Sequence, residues 1–118
     1  KDSSAGFGNA AKEKPVLHFL NVDPSEPGAP QDACAFGLVV RGIDFVLGKG
    51  NAGAVAIQMP SAQYSGIEDV HIDATGAYAG IHGLPARGGS ANIEVVGGRY
   101  GIIADNFGGM ALTGLRLR

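Results

Sequence analysis

The stretch Gly66–Ile103, GIEDVHIDATGAYAGIHGLPARGGSANIEVVGGRYGII, contains the same short pattern twice. An alternating apolar run (Val70, Ile72) leads through a glycine-bearing turn into a second run around Ile81. After a Gly88-Gly89 turn the sequence repeats with Ile93, Val95 and Ile102. Extended outward, the first pattern appears upstream at Ile43 and Phe45 and downstream at Leu115 and Leu117. Its steps are 27, 23 and 22 residues. The second pattern adds Ile57 ahead of Ile81 and Ile102, at steps of 24 and 21. Two strands per repeat with a period in the twenties is the signature of a solenoid, because one coil is too thin to bury its own apolar face. Coils must therefore stack, about 4.8 Å apart, and equivalent residues form ladders.

The spacing predicts an all-β, right-handed parallel β-helix of about four coils over residues 36–118, with Ile43/Val70/Ile93/Leu115 and Ile57/Ile81/Ile102 as ladders. Gly50-Asn51, Gly88-Gly89 and Gly97-Gly98 are read as corners supplying left-handed backbone. Residues 1–35 read as an irregular entry segment with one strand, Lys14–Val22, and a Pro-rich loop, Asp23–Ala33. Leucine-rich repeats share the period but need a regular Leu/Asn spacing that is missing here. A β-sandwich would not require this register. A first residue Lys1 and a last residue Arg118 inside an alternating run lead us to expect an internal piece of a longer helix, prone to self-association when expressed alone.

The composition sets bounds. A formal charge of −2 with no Lys/Arg cluster predicts no nucleic-acid partner. No apolar run reaches the roughly 18 residues of a membrane span, so no membrane partner is expected. The single cysteine, Cys34, allows no disulfide framework and no multi-Cys metal site. No cofactor and no metal are expected.

Candidate chemistry is sparse. Asp69, His71 and Asp73 read as outward residues of one strand, and a solvated strand face is the expectation over a metal or acid–base site. The repeat register stacks Asp44, His71, Glu94 and Arg116 in one external column of alternating charge, which favours correct stacking. On the second strand Ala56, Gly80 and Gly101 are placed outward, either as a shallow trough for a ligand or as relief of crowding at a sharply bent coil. Tyr64, Tyr78, Tyr100 and Phe107 are candidates for stacking on sugar rings or for capping the coils. No pair of the eleven acidic residues has a spacing that singles it out as a glycosidase pair. Asp105 beside Asn106 is too little for a calcium-assisted lyase.

The runs Asn51–Ala54, Gln63, Gly88-Gly89 and Gly97-Gly98-Arg99-Tyr100-Gly101, with KPVLHF upstream, resemble the amino-terminal β-helix of glycoside hydrolase family 55 and its bacterial pectate-lyase-superfamily relatives. The resemblance implies a secreted exo-acting β-1,3-glucanase of two side-by-side β-helices. Its general acid, a glutamate, would lie in the later helix, and these coils would supply scaffold and one wall of the cleft. It further implies that Gln63 helps to position the attacking water. Its partners would be a polysaccharide and the second β-helix of its own chain. Tyr64, His82, Arg87 and Tyr100 are candidate substrate contacts by their residue types and places near the turns, although a lone His such as His82 is more often a hydrogen-bonded surface residue. Ala86-Arg87-Gly88-Gly89 departs from the small Gly-Ser-Gly-Gly corner of that family. The alternative is a non-catalytic β-helix of a tailspike, adhesin or surface glycan-binding protein, or a polysaccharide lyase.

Overall fold

A computed structural model describes residues 6–19, 35–105 and 109–118. They form ten strands: β1 (Lys14–His18), β2 (Val39–Arg41), β3 (Asp44–Val46), β4 (Ala54–Gln58), β5 (Gly66–Asp73), β6 (Ala79–His82), β7 (Gly89–Val96), β8 (Tyr100–Ile103), β9 (Ala111–Thr113) and β10 (Arg116–Leu117). There is no helix among the described residues, and every strand pairing is parallel. One sheet runs β1-β4-β6-β8. The other runs β10-β7-β5-β2, with β3 also on β5 and β9 also on β7. Each successive strand of one sheet connects to the next of the other, so the chain is a parallel β-solenoid of about three turns, stacked four strands deep.

The ladders follow the repeat arithmetic. Val70 lies opposite Ile93, and Phe45, Ile72, Val95 and Leu117 form one continuous column. In the other sheet Ile57, Ile81 and Ile102 align, and Leu17 heads the column. The first strand is thus built into the stack, and the register reaches back to Lys14. Ile57, Ile67, Ile72 and Ile81 have no solvent exposure, whereas Leu115 and Leu117 at the last level remain 37% and 53% exposed. Burial of apolar area at roughly 25 cal/mol per Å² is concentrated in the inner levels for this reason.

Two corners differ from the sequence reading. Each run of the larger sheet is broken by one residue with positive φ: Gly42 (66°), Asp69 (52°), Asn92 (54°) and Gly114 (66°). Asp69 is exposed as read and lines the same outer groove as His71, but it stands at a left-handed break within β5. Asp and Asn tolerate this backbone through local side-chain hydrogen bonds. Here Asn92 Nδ2 donates to Asp69 Oδ1 at 2.9 Å, tying adjacent corners. At Gly88-Gly89 neither glycine has the positive φ expected of it; Arg87 does, at 52°. Gly88 is needed for close approach instead, since a Cβ there would lie 2.1 Å from the Ser65 carbonyl oxygen.

The Ala56/Gly80/Gly101 column is a further correction. Ala56 and Gly80 are buried, and a Cβ on Gly80 would stand 2.5 Å from Val95 Cγ1. One on Gly101 would stand 3.0 Å from Leu117 Cδ2. The column faces the opposing sheet, not solvent. Its small residues make room for Val95 and Leu117, so no ligand trough exists there.

Candidate functional site

Three of the residues singled out by sequence come together on one edge of the solenoid. The turn before β5 and the turn before β7 occupy equivalent places in successive coils. Gly37 (φ 68°), Tyr64 (62°) and Arg87 (52°) hold the same left-handed corner at successive levels. The corner is tied by Gly37 N donating to Gln63 O at 3.2 Å, and Arg87 N donating to Gly109 O at 2.5 Å. A left-handed backbone is free for Gly37 but costs an L-residue roughly 1–2 kcal/mol. Tyr64 and Arg87 nevertheless stand there, with Tyr64 85% exposed and Arg87 also exposed. Gln63, beside Tyr64, is half-buried. Backbone strain that holds bulky side chains in solvent is a feature of binding surfaces more often than of plain scaffold.

His82 and Tyr100 lie elsewhere. Tyr100 packs edge-on against Tyr78 with ring centroids 5.5 Å apart, and the Arg99 guanidinium sits 5.4 Å from its ring centroid. Tyr78 and Tyr100 are on adjacent coils at the entrance to the smaller sheet, where Tyr100 N donates to Tyr78 O. At the end of β6, His82 Nδ1 is 2.8 Å from Glu13 Oε2, and Nε2 is 3.0 Å from Asp105 Oδ2. Both ring nitrogens are engaged by carboxylates, so His82 is a tie between the entry segment and two levels of the solenoid, not a poised base. Partial burial opposes its charge, but the hydrogen bonds to Asp105 and Glu13 outweigh this and raise its pKa above the usual 6.5.

The sign of that shift gives a pH dependence. The imidazolium contributes stability below pH 6.5, and the contribution is lost as pH rises through the higher folded pKa. We expect unfolding free energy from urea titrations to fall between pH 6.5 and 8, by less than about 1 kcal/mol given the exposure of Asp105. His82→Gln should flatten the profile across that window. An unchanged profile in this variant would mean that the tie does not form.

The outer face of the larger sheet carries a groove of about 360 Å³ along the Gly42/Asp69/Asn92/Gly114 corner. Asp44, Asp69, His71, Asn92, Glu94 and Arg116 line it. Here the external column forms as read: Asp44 lies opposite His71, His71 opposite Glu94, and Glu94 opposite Arg116. Glu94 forms its ion pair with Arg118 at 3.2 Å. Two rungs of the same sheet are joined by Arg41 and Glu68, with Arg41 Nε 2.8 Å from Glu68 Oε2. That hydrogen bond, followed by the attraction of the Glu68 charge, raises the Arg41 pKa. Asp73 is held below the usual carboxylate range, chiefly by hydrogen bonding to Thr75, whose backbone N donates at 3.0 Å. Among the described residues, no three His, Cys, Asp or Glu side chains gather as a cation site.

The corner column and the Glu13–His82–Asp105 tie were missed by sequence reasoning. The first had a signal in the alignment of Gly, Asp, Asn and Gly at one repeat position. The second had none, since its members are 69 and 23 residues apart. Cys34, Asn106, Phe107 and the Pro-rich loop lie outside the described residues. In comparison with known proteins, the chain matches no family model, no curated protein and no solved structure, so its function must be argued from its own residues and geometry.

Proposed function

We propose that these coils form a glycan-facing wall of a secreted polysaccharide-acting protein, of the glycoside hydrolase kind with β-1,3-glucan as the substrate class. They bind and orient the polysaccharide, while the rest of the parent chain supplies the general acid. The observation that carries this reading is the strained edge where Tyr64 and Arg87 stand in left-handed corners, exposed and one coil apart. A phenol ring offers a flat apolar face to a sugar ring, and a guanidinium offers a fork of donors to its hydroxyls. Gln63 beside them adds an amide able to donate and accept.

The carboxylates support a binding wall over a catalytic centre. Glu13, Glu68 and Glu94, the three glutamates among the described residues, are each in an ion pair. Each of these carboxylates is thereby occupied by a partner within the chain, whereas a general acid must be free to meet the glycosidic oxygen. Arg87 fits a role in contacting substrate better than one in seating a small water molecule, because its corner projects a long cation where a small residue would leave space.

The test is an NMR titration of the chain with β-1,3-linked gluco-oligosaccharides, with β-1,4-linked ones as the comparison. Shifts should centre on Gln63, Tyr64 and Arg87. Tyr64→Ala should weaken binding about fivefold, since loss of one aromatic contact removes about 1 kcal/mol. Absence of shifts at this edge with either oligosaccharide would sink the proposal.

A further inference from the structure

The groove along the Gly42/Asp69/Asn92/Gly114 corner is a second binding face, and we propose that it holds a neutral β-glucan chain lying lengthwise along the solenoid. The class of ligand rests on the glycan-facing wall proposed above, whereas the place and direction of the site rest on the groove itself. Its centre lies in the adjoining levels of β5 and β7, which supply Asp69 with His71 and Asn92 with Glu94. Val70 and Ile93 form the floor and are only 2% and 1% exposed, so the two polar rows make nearly all of the contact surface. Equivalent residues recur once per coil, about 4.8 Å apart. A groove built in this way repeats its contacts along the solenoid axis, and so suits a linear polymer that repeats its own groups.

The chemistry of the rows selects the polymer. A hydroxyl both donates and accepts, so a surface that binds a run of hydroxyls mixes acceptors with donors. The row Asp44–His71–Glu94–Arg116 does this in register, each carboxylate being followed by an imidazole or a guanidinium. In the corner row Asn92 Nδ2 occupies Asp69 Oδ1, which leaves Oδ2 to accept from a ligand. Asp44, Asp69, His71 and Asn92 are all exposed along the groove. Its three carboxylates set like charge against an acidic polysaccharide. His71 and Arg116 interrupt them, and Arg118 pairs with Glu94 at 3.2 Å, so they form no continuous negative strip for a polycation. No aromatic ring stands among the described residues that line the groove. Affinity there accumulates from hydrogen bonds added level by level, whereas the Tyr64 edge offers one ring contact. The two faces therefore differ in how binding depends on ligand length.

NMR titration of the 118-residue chain with β-1,3-linked gluco-oligosaccharides, from disaccharide to hexasaccharide, tests the proposal. Shifts at His71, Asn92 and Glu94 should grow with length, and affinity read from them should rise at least about tenfold across the series. Affinity read at Tyr64 should change far less. An oligogalacturonate of equal length should leave the groove signals in place. His71→Ala should weaken binding in the groove about fivefold and leave the Tyr64 response unaltered. Asp69→Asn, which keeps a residue that tolerates the left-handed corner while removing the charged acceptor, should act likewise, with thermal melting as the check on folding. Shifts confined to Gln63, Tyr64 and Arg87 overturn the groove and leave the edge standing. Shifts in the groove with none at Tyr64 or Arg87 uphold it and remove the edge. Oligolysine perturbing the groove where the hexasaccharide does not would assign it to a cationic partner, and overturns the proposal equally.

Discussion

Ile81→Ala is expected to cost about 4 kcal/mol of unfolding free energy, read by urea denaturation or calorimetry. Ile81 has no solvent exposure and is flanked in its column by Ile57 on one side and Ile102 on the other. Three removed carbons leave a cavity that the walls cannot close, since the strands above and below are pinned by parallel ladders on both sides. The same substitution at Leu112, 37% exposed on the last level, lacks neighbours on one side and should cost under about 1 kcal/mol. For a chain of this size the larger loss corresponds to a fall in Tm on the order of 15 °C. In a solenoid each level is stabilised by contact with its neighbours, so an inner level weakens the whole array where an outer one frays alone. Equal losses at Ile81 and Leu112 would mean that the levels do not couple through this column.

Much of this architecture is legible from residue spacing, for a physical reason. Stacking coils turn a sequence period into a spatial column, so Ile57, Ile81 and Ile102 can be aligned without knowing any bond. The external charges follow by the same rule, and Asp44, His71, Glu94 and Arg116 fall where the register sets them. Strand interruptions are harder to read. Asp69 and Asn92 look like ordinary outward polar residues, and only their alignment with Gly42 and Gly114 betrays a left-handed corner. The edge that presents Tyr64 and Arg87 was legible as two candidates, but not as one strained position repeated. Left-handed tyrosine and arginine are rare enough that sequence alone gives no reason to expect them. The tie made by His82 is not legible in the sequence, because its partners Glu13 and Asp105 come from an entry segment and a distant turn.

Gly80→Ala should destabilise the chain by about 3 kcal/mol, an effect that follows directly from which way the small column faces. Period-two alternation places Gly80 on the face opposite Ile81, which on a strand with one wet face would leave it in solvent. Both faces of β6 are shielded here: Ala79, Gly80 and Ile81 are all buried. The added methyl would meet Val95 Cγ1 at 2.5 Å and the Gly101 carbonyl oxygen at 2.7 Å. The valine can turn, but the carbonyl belongs to the adjacent strand and carries the ladder with it. Relief therefore demands a backbone shift at two levels, more than the usual cost of one surplus methyl. Gly89→Ala is the matched comparison. It has an ordinary φ and nothing within 4 Å of the new Cβ, so it should be neutral or stabilise by about 0.5 kcal/mol through the unfolded chain. A Gly80→Ala variant as stable as Gly89→Ala would place the small column in solvent and restore the trough.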